Sequence, residues 1–132
     1  MFYYKTKLKE SNHHGIGIFA DEHIPAETVL WVPSPALSLH YSEDEFNTLS
    51  ENEKQTISHY GYFHKEFKVW HLAADDSRYI NHSKNPNVTV TEDGWGLKTL
   101  IDLKLGDEIV QDYNDFEDID SQRKRGLLIQ KT

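Results

Sequence analysis

Apolar residues in this sequence come in short runs, and turn-forming residues bound each run. Thr28-Val29-Leu30-Trp31-Val32 stops at Pro33, Val88-Thr89-Val90-Thr91 stops at Glu92-Asp93-Gly94, and Glu108-Ile109-Val110-Gln111 follows a Gly106-Asp107 turn. Such runs, rich in β-branched and aromatic side chains, are long enough for strands and too short for amphipathic helices. Phe2-Tyr3-Tyr4, Ala36-Leu37-Ser38-Leu39, Phe67 to Leu72 and Trp95 to Leu103 read the same way. Gly15-Ile16-Gly17-Ile18-Phe19-Ala20 is strand-like but broken by two glycines.

One helix is signalled. Ser42 is an N-cap with Glu43 and Asp44 in the first turn and Glu45 three residues on, the arrangement that satisfies and neutralises a helix N-terminus. Phe46, Leu49 and Ile57 then give an apolar face that carries the helix to about His59. Asp75 to Asn87 is polar and rich in turn formers. From Asn114 the chain is acidic, then basic at Arg123-Lys124-Arg125, and Leu127-Leu128-Ile129 suits a short helix packing back on the body. The expected fold is α+β and mostly β, in a single domain over 1–132.

The chain has no cysteine, which excludes disulfides and thiolate zinc sites. Its net charge of −8 disfavours direct nucleic-acid binding and favours a basic partner. No apolar run is long enough to span a membrane, and the start Met1-Phe2-Tyr3-Tyr4-Lys5 has no signal-peptide pattern. The expected compartment is cytoplasmic or nuclear, not secreted.

The most specific stretch is Arg78-Tyr79-Ile80-Asn81-His82-Ser83-Lys84-Asn85-Pro86-Asn87. It resembles the signature of the SET-domain protein-lysine methyltransferases, an Arg-aromatic-hydrophobic-Asn-His-Ser run followed by Pro-Asn. The match at Arg78, Asn81, His82, Ser83, Pro86 and Asn87 has a chance probability of roughly 10⁻⁸ per starting site. Leu103 to Tyr113 resembles the closing motif of the family, a Gly-acid-Glu turn and strand ending in Asp112-Tyr113. Gly15-Ile16-Gly17 resembles its first cofactor loop, where glycine lets backbone approach a ligand. The three motifs stand in the expected order and define a core over 15–113. The resemblance implies a SET-type fold of short strands with a knot-like core and one short helical insert. The knot would be an exception to the usual rule against threaded connections.

The resemblance also implies transfer of a methyl group from S-adenosylmethionine to the side-chain amine of a lysine in a protein substrate. Gly15, Ile16, Gly17, Arg78, Asn81 and His82 would bind the cofactor. Asn81 would bond the methionine moiety through its side chain, and His82 would meet the adenine through backbone groups. Tyr113 would be the catalytic tyrosine, its oxygen accepting CH···O contacts from the methyl group. Tyr60 would serve the same site from the middle of the domain. Trp70, Tyr79 and Trp95 are further candidates for the channel wall, with core packing as their first reading. Removing the proton from a lysine at neutral pH costs about 4–5 kcal/mol in water, and either Tyr113 or bulk water could take it.

Many relatives close the lysine channel with a zinc site of four cysteines, which this chain cannot build. Closure falls instead to the tail, 114–132, where Phe116, Ile119 and Leu127-Leu128-Ile129 are apolar, or to a second copy in a homodimer. An alternative reading is a catalytically inactive SET-like module that binds the cofactor or a protein partner. The eight histidines, including His13-His14, His59 and His64, show no recognised zinc spacing and read as packed or exposed side chains; no metal is expected.

Overall fold

The structure, a computed structural model, describes residues 1–118. Ile119, the Leu127-Leu128-Ile129 cluster and the expected C-terminal helix lie outside the described residues.

Strands β1 (Thr6–Glu10) and β2 (Ile16–Ala20) form an antiparallel hairpin. Its outer strand is largely exposed, while Gly17 to Ala20 on β2 are buried. Strand β3 (Val29–Trp31) pairs with β9 (Leu97–Thr99), which also pairs with β8 (Val88–Val90). A third sheet sets β6 (Val69–Ala73) between β4 (Ser38–Ser42) and β5 (Tyr62–Phe63). The fourth is a parallel pair of two-residue strands, β7 (Asn81–His82) and β10 (Val110–Gln111).

The main core lies among these sheets. Ile18, Ile24, Leu30, Val88, Leu103 and Ile109 are fully buried in it. A smaller cluster, Phe46, Ile57 and Trp70, seats the helical insert on β6, with Phe46 stacked on Trp70 at 4.2 Å.

The insert departs from the single helix expected over 42–59. It is two helices, α1 (Glu43–Asn47) and α2 (Glu51–Tyr60), each begun by a complete capping box. The first uses Ser42 and Glu45, as expected; the second uses Ser50 and Glu53. That second box starts a new helix within the apolar pattern, because Ser50 satisfies orphan N–H groups better as a cap than as a helix interior residue. Phe2-Tyr3-Tyr4 also departs from expectation: Phe2 makes only an isolated bridge to Trp31, and the strand begins at Thr6. The polar 75–87 segment contains a 3₁₀ turn (Asp76–Tyr79) and then β7, so it carries a strand where only turns were read.

Gly61 caps α2 and places Tyr60 and Tyr62 on either side of it. A Cβ at this position would lie 2.3 Å from the His71 carbonyl oxygen and 2.8 Å from that of Ile57. The missing side chain lets the helix end close against β6.

Candidate active site

Three pieces of chain meet at Asn81. The loop between β1 and β2 folds back on itself, with the Ser11 N–H donating to the Gly15 carbonyl at 2.8 Å. Gly15 holds φ at +48°, a left-handed conformation that glycine adopts without strain. Asn81 is 8% exposed, and its Nδ2 donates to the carbonyls of His14 (2.9 Å) and Ile16 (3.3 Å) and to Glu108 Oε2 (3.1 Å). An amide has two N–H groups, so three acceptors share them. Both oxygens of Glu108 also accept from Ser11 Oγ at 2.8 Å. Gly17 makes room for that carboxylate, since a Cβ there would sit 2.4 Å from Glu108 Oε2. This glycine therefore accommodates a side chain of the protein itself.

The segment 81–87 is laced to 108–113. Asn87 Nδ2 donates to the Glu108 carbonyl at 2.7 Å and Asn87 Oδ1 accepts from the Val110 N–H at 2.9 Å. The Ser83 N–H reaches the Gln111 carbonyl at 2.9 Å, and the Tyr113 N–H donates to His82 Nδ1 at 3.1 Å.

Beside this lattice lies a cavity whose wall includes Tyr60, Tyr62, Arg78, Trp95, Tyr113 and Phe116. Tyr113 and Phe116 are buried, with the Phe116 ring edge-on to Tyr62 at 4.5 Å. The Arg78 guanidinium lies over the Tyr60 ring, 4.8 Å from its centre, and is fixed by two hydrogen bonds to the Ala73 carbonyl at 2.8 and 3.1 Å. The Tyr113 hydroxyl donates to the carbonyl of Ile80, the residue before Asn81. His71 also faces the cavity; burial pushes its pKa down to about 4, with help from nearby His40 and His64 and against the pull of Asp75.

Comparison with known proteins gives this geometry its context. Residues 15–114 match the SET domain family. The chain belongs to the SET-domain family. A relative in Schizosaccharomyces pombe, "Histone-lysine N-methyltransferase, H3 lysine-37 specific", is 29% identical over 126 residues, covering 90% of this chain and 82% of the relative. Solved structures share the SET fold. An active polycomb repressive complex 2 in its basal state gives a TM-score of 0.61 at 23% identity, over 85% of this chain and 15% of that one. A candidate histone methyltransferase from Plasmodium falciparum gives 0.59 at 18% identity, over 83% of this chain and 93% of that one. The family and the fission-yeast relative place the chain among protein-lysine methyltransferases.

In this SET domain the residues singled out in the sequence fall into two adjoining groups. Gly15, Ile16 and Gly17 gather with Asn81 around one loop, and Tyr60, Arg78 and Tyr113 line the cavity. His82 joins the groups by receiving the Tyr113 N–H. Of the other wall candidates, Trp95 lines the cavity, whereas Trp70 packs on Phe46 and Phe63 and Tyr79 lies outside it. Glu108 was legible only as part of the Gly106-Asp107-Glu108 turn, and nothing in the sequence showed that it would bind Asn81 and Ser11. Tyr62 and His71 carried no signal at all, because their meeting depends on the register of β5 against β6.

Proposed function

We propose that this SET domain methylates the side-chain amine of a lysine in a protein substrate with S-adenosylmethionine as donor. The observation that carries the reading is the adjacency of the two groups: the Asn81 loop and the Tyr113 cavity meet at Ile80-Asn81-His82. A cofactor held at one and a lysine entering the other would come together there.

The residues present fit an amino-acid-bearing cofactor. Asn81 spends its N–H groups on the chain, and among the described residues nothing donates to its Oδ1. That oxygen is a suitable acceptor for an ammonium group. Gly15, Ile16 and Gly17 shape the loop, and Arg78 in the cavity wall and His82 beside Tyr113 are the further residues assigned to the cofactor. S-adenosylmethionine bound here supplies a methyl group on a positively charged sulfur, already activated for transfer.

The protein then needs to align an amine, exclude water and stabilise moving charge. Tyr113 suits the last task. Its proton is directed at the Ile80 carbonyl, and a phenol oxygen is of a kind that accepts CH···O contacts from a methyl group. The same bond argues against Tyr113 as the base, because ionising the phenol would set oxygen lone pairs against the carbonyl. Loss of the lysine proton to water before the cavity closes is the simpler route. Tyr60, Tyr62, Trp95 and Phe116 offer ring faces and edges to an alkyl-ammonium stem. Closure by the tail, 114–132, or by a second copy remains part of the proposal, supported at its start by Phe116 in the cavity wall. A net charge of −8 suits a basic substrate in a nuclear or cytoplasmic setting.

The test is methyl transfer from labelled S-adenosylmethionine to recombinant histone H3, the substrate named for the fission-yeast relative. Incorporation by the wild type that is lost in Tyr113→Phe supports the reading. Cofactor binding without transfer to H3 or to a panel of basic proteins supports the inactive module instead.

A further inference from the structure

Trp95 belongs to two hollows. One is the cavity that holds Tyr113, and the other is an open groove whose apolar lining includes Val29, Val32, Pro33, Phe67 and Val69. The Trp95 and Phe67 rings stack at 4.8 Å, and Val29 and Phe67 leave 42% and 45% of their surface exposed. Contiguous exposed apolar surface bordered by charge marks a place of contact with another molecule.

The groove is shaped by bonds of the chain itself. His64 is 2% exposed, and its Nδ1 accepts from the N–H groups of Glu66 at 3.2 Å and Phe67 at 3.3 Å. Its Nε2 lies 3.0 Å from the Gly94 carbonyl oxygen. One ring thereby ties the turn that carries Phe67 to the turn that carries Trp95. Asp93 braces the second turn, its Oδ1 accepting from the N–H groups of Trp95 at 3.0 Å and Gly96 at 3.4 Å. A wall fixed in advance costs little ordering when a partner arrives.

Charge selects the partner. Glu92 and Asp93, both exposed, complete the lining, and no lysine or arginine takes part in it. The bases next to the groove stand outside the lining: Lys68 beside Phe67 in sequence, and Lys98 opposite Val29 across the β3–β9 ladder. Among the described residues Glu92 makes no ion pair and nothing donates to Asp93 Oδ2. A second copy of a chain with net charge −8 brings like charge here, whereas a cationic segment is complementary.

We propose that the groove docks a basic segment of the protein substrate that flanks the target lysine. An apolar side chain of that segment packs on Phe67 and Val29, and arginine or lysine side chains beside it meet Glu92 and Asp93. The inference rests on the methyltransferase reading above and adds a recognition site outside the cavity. Because Trp95 is shared, a segment held in the groove brings a nearby lysine to the cavity. Contacts of this kind are made equally before and during methyl transfer, so they act on KM and leave kcat alone.

Two measurements test this. The first needs no turnover: the ¹⁵N-labelled protein is titrated with a synthetic lysine-free peptide that carries one leucine between arginines. The amide signals of Val29, Phe67, Glu92 and Asp93 and the Trp95 indole N–H should shift, and those of Gly15 and Asn81 should not. Glu92→Lys should weaken binding several-fold, and so should added salt. Absence of these shifts, or equal binding by Glu92→Lys, overturns the docking site. Shifts at the same residues on raising protein concentration without peptide make a second copy the occupant and overturn it as well. The second measurement is steady-state methyl transfer to histone H3 by wild type, Glu92→Lys and Val29→Ser, each checked for folding by circular dichroism. KM for H3 should rise several-fold in both variants, with kcat held within about twofold. A fall in kcat at unchanged KM, or no change in either, overturns the proposal. Groove binding of the peptide with no methylation of H3 overturns the substrate assignment and the proposal with it. Methylation of H3 by a wild type that fails the first measurement overturns the groove and leaves the methyltransferase reading standing.

Discussion

Tyr113 and Ile80 are tied by a hydrogen bond from the phenol to the main-chain carbonyl across 33 positions of sequence. It joins the end of the closing motif to the middle of the Asn-His-Ser motif and sets the phenol oxygen in the cavity wall. Tyr113→Phe removes the oxygen and leaves the ring. It also leaves the Ile80 carbonyl short of a donor, at a cost of about 1–3 kcal/mol in stability. Methyl transfer is expected to fall on the order of 10²-fold with cofactor affinity nearly unchanged, as read by single-turnover assay and calorimetry on the same samples.

Gly17 and Glu108 form a second dependent pair. A Cβ on Gly17 would force the Glu108 carboxylate away from Ser11 and Asn81. Gly17→Ala should lower stability by about 1–3 kcal/mol and loosen the loop. In a Glu108→Ala background the same substitution should cost much less, leaving the Ser11 Cβ contact at 3.0 Å. Chemical denaturation of the four proteins gives the coupling energy directly.

Gly61 offers a sharper steric prediction. Here the obstacle is backbone, the His71 carbonyl at 2.3 Å, and backbone cannot rotate away. Gly61→Ala should lower thermal stability more than Gly17→Ala, by several degrees in Tm. It should also shift the tyrosines on either side and reduce methyl transfer.

The pH dependence follows from His71. Its pKa falls from 6.5 to about 4 on folding, so between those values the unfolded chain takes up a proton that the native ring refuses. Stability contributed by this ring is complete above pH 6.5, is lost as pH falls towards about 4, and changes no further below that. The full loss is on the order of 3 kcal/mol. His40, also lowered by burial, adds a loss of the same sign. Urea midpoints for wild type and His71→Asn over this window should converge as pH falls, because the variant lacks the His71 contribution.

Much of this was legible from local patterns. Strands such as Val29–Trp31 and Val88–Val90 follow from β-branched runs closed by turns, and the capping box at Ser42 announces a helix. The motif residues Gly15, Asn81 and Tyr113 were legible as ordered words, and the structure brings them to neighbouring places. What escaped depends on contacts between distant residues. The two-residue strand Asn81–His82 has too little sequence of its own to carry a period and exists because Val110–Gln111 pairs with it. The role of Glu108 requires knowing that β2 and the closing motif touch. The meeting of His71 with His40 and Tyr62 requires the register of three strands. Trp70 and Trp95 were equal candidates by type, and only packing separates a core tryptophan from a cavity one.

Calorimetric titration of S-adenosylmethionine into the wild type and into Asn81→Ala tests the central claim most directly. The account predicts micromolar, one-to-one binding by the wild type and loss of measurable heat in a folded Asn81→Ala protein. Absence of binding by folded wild type, or equal binding by both, would contradict it.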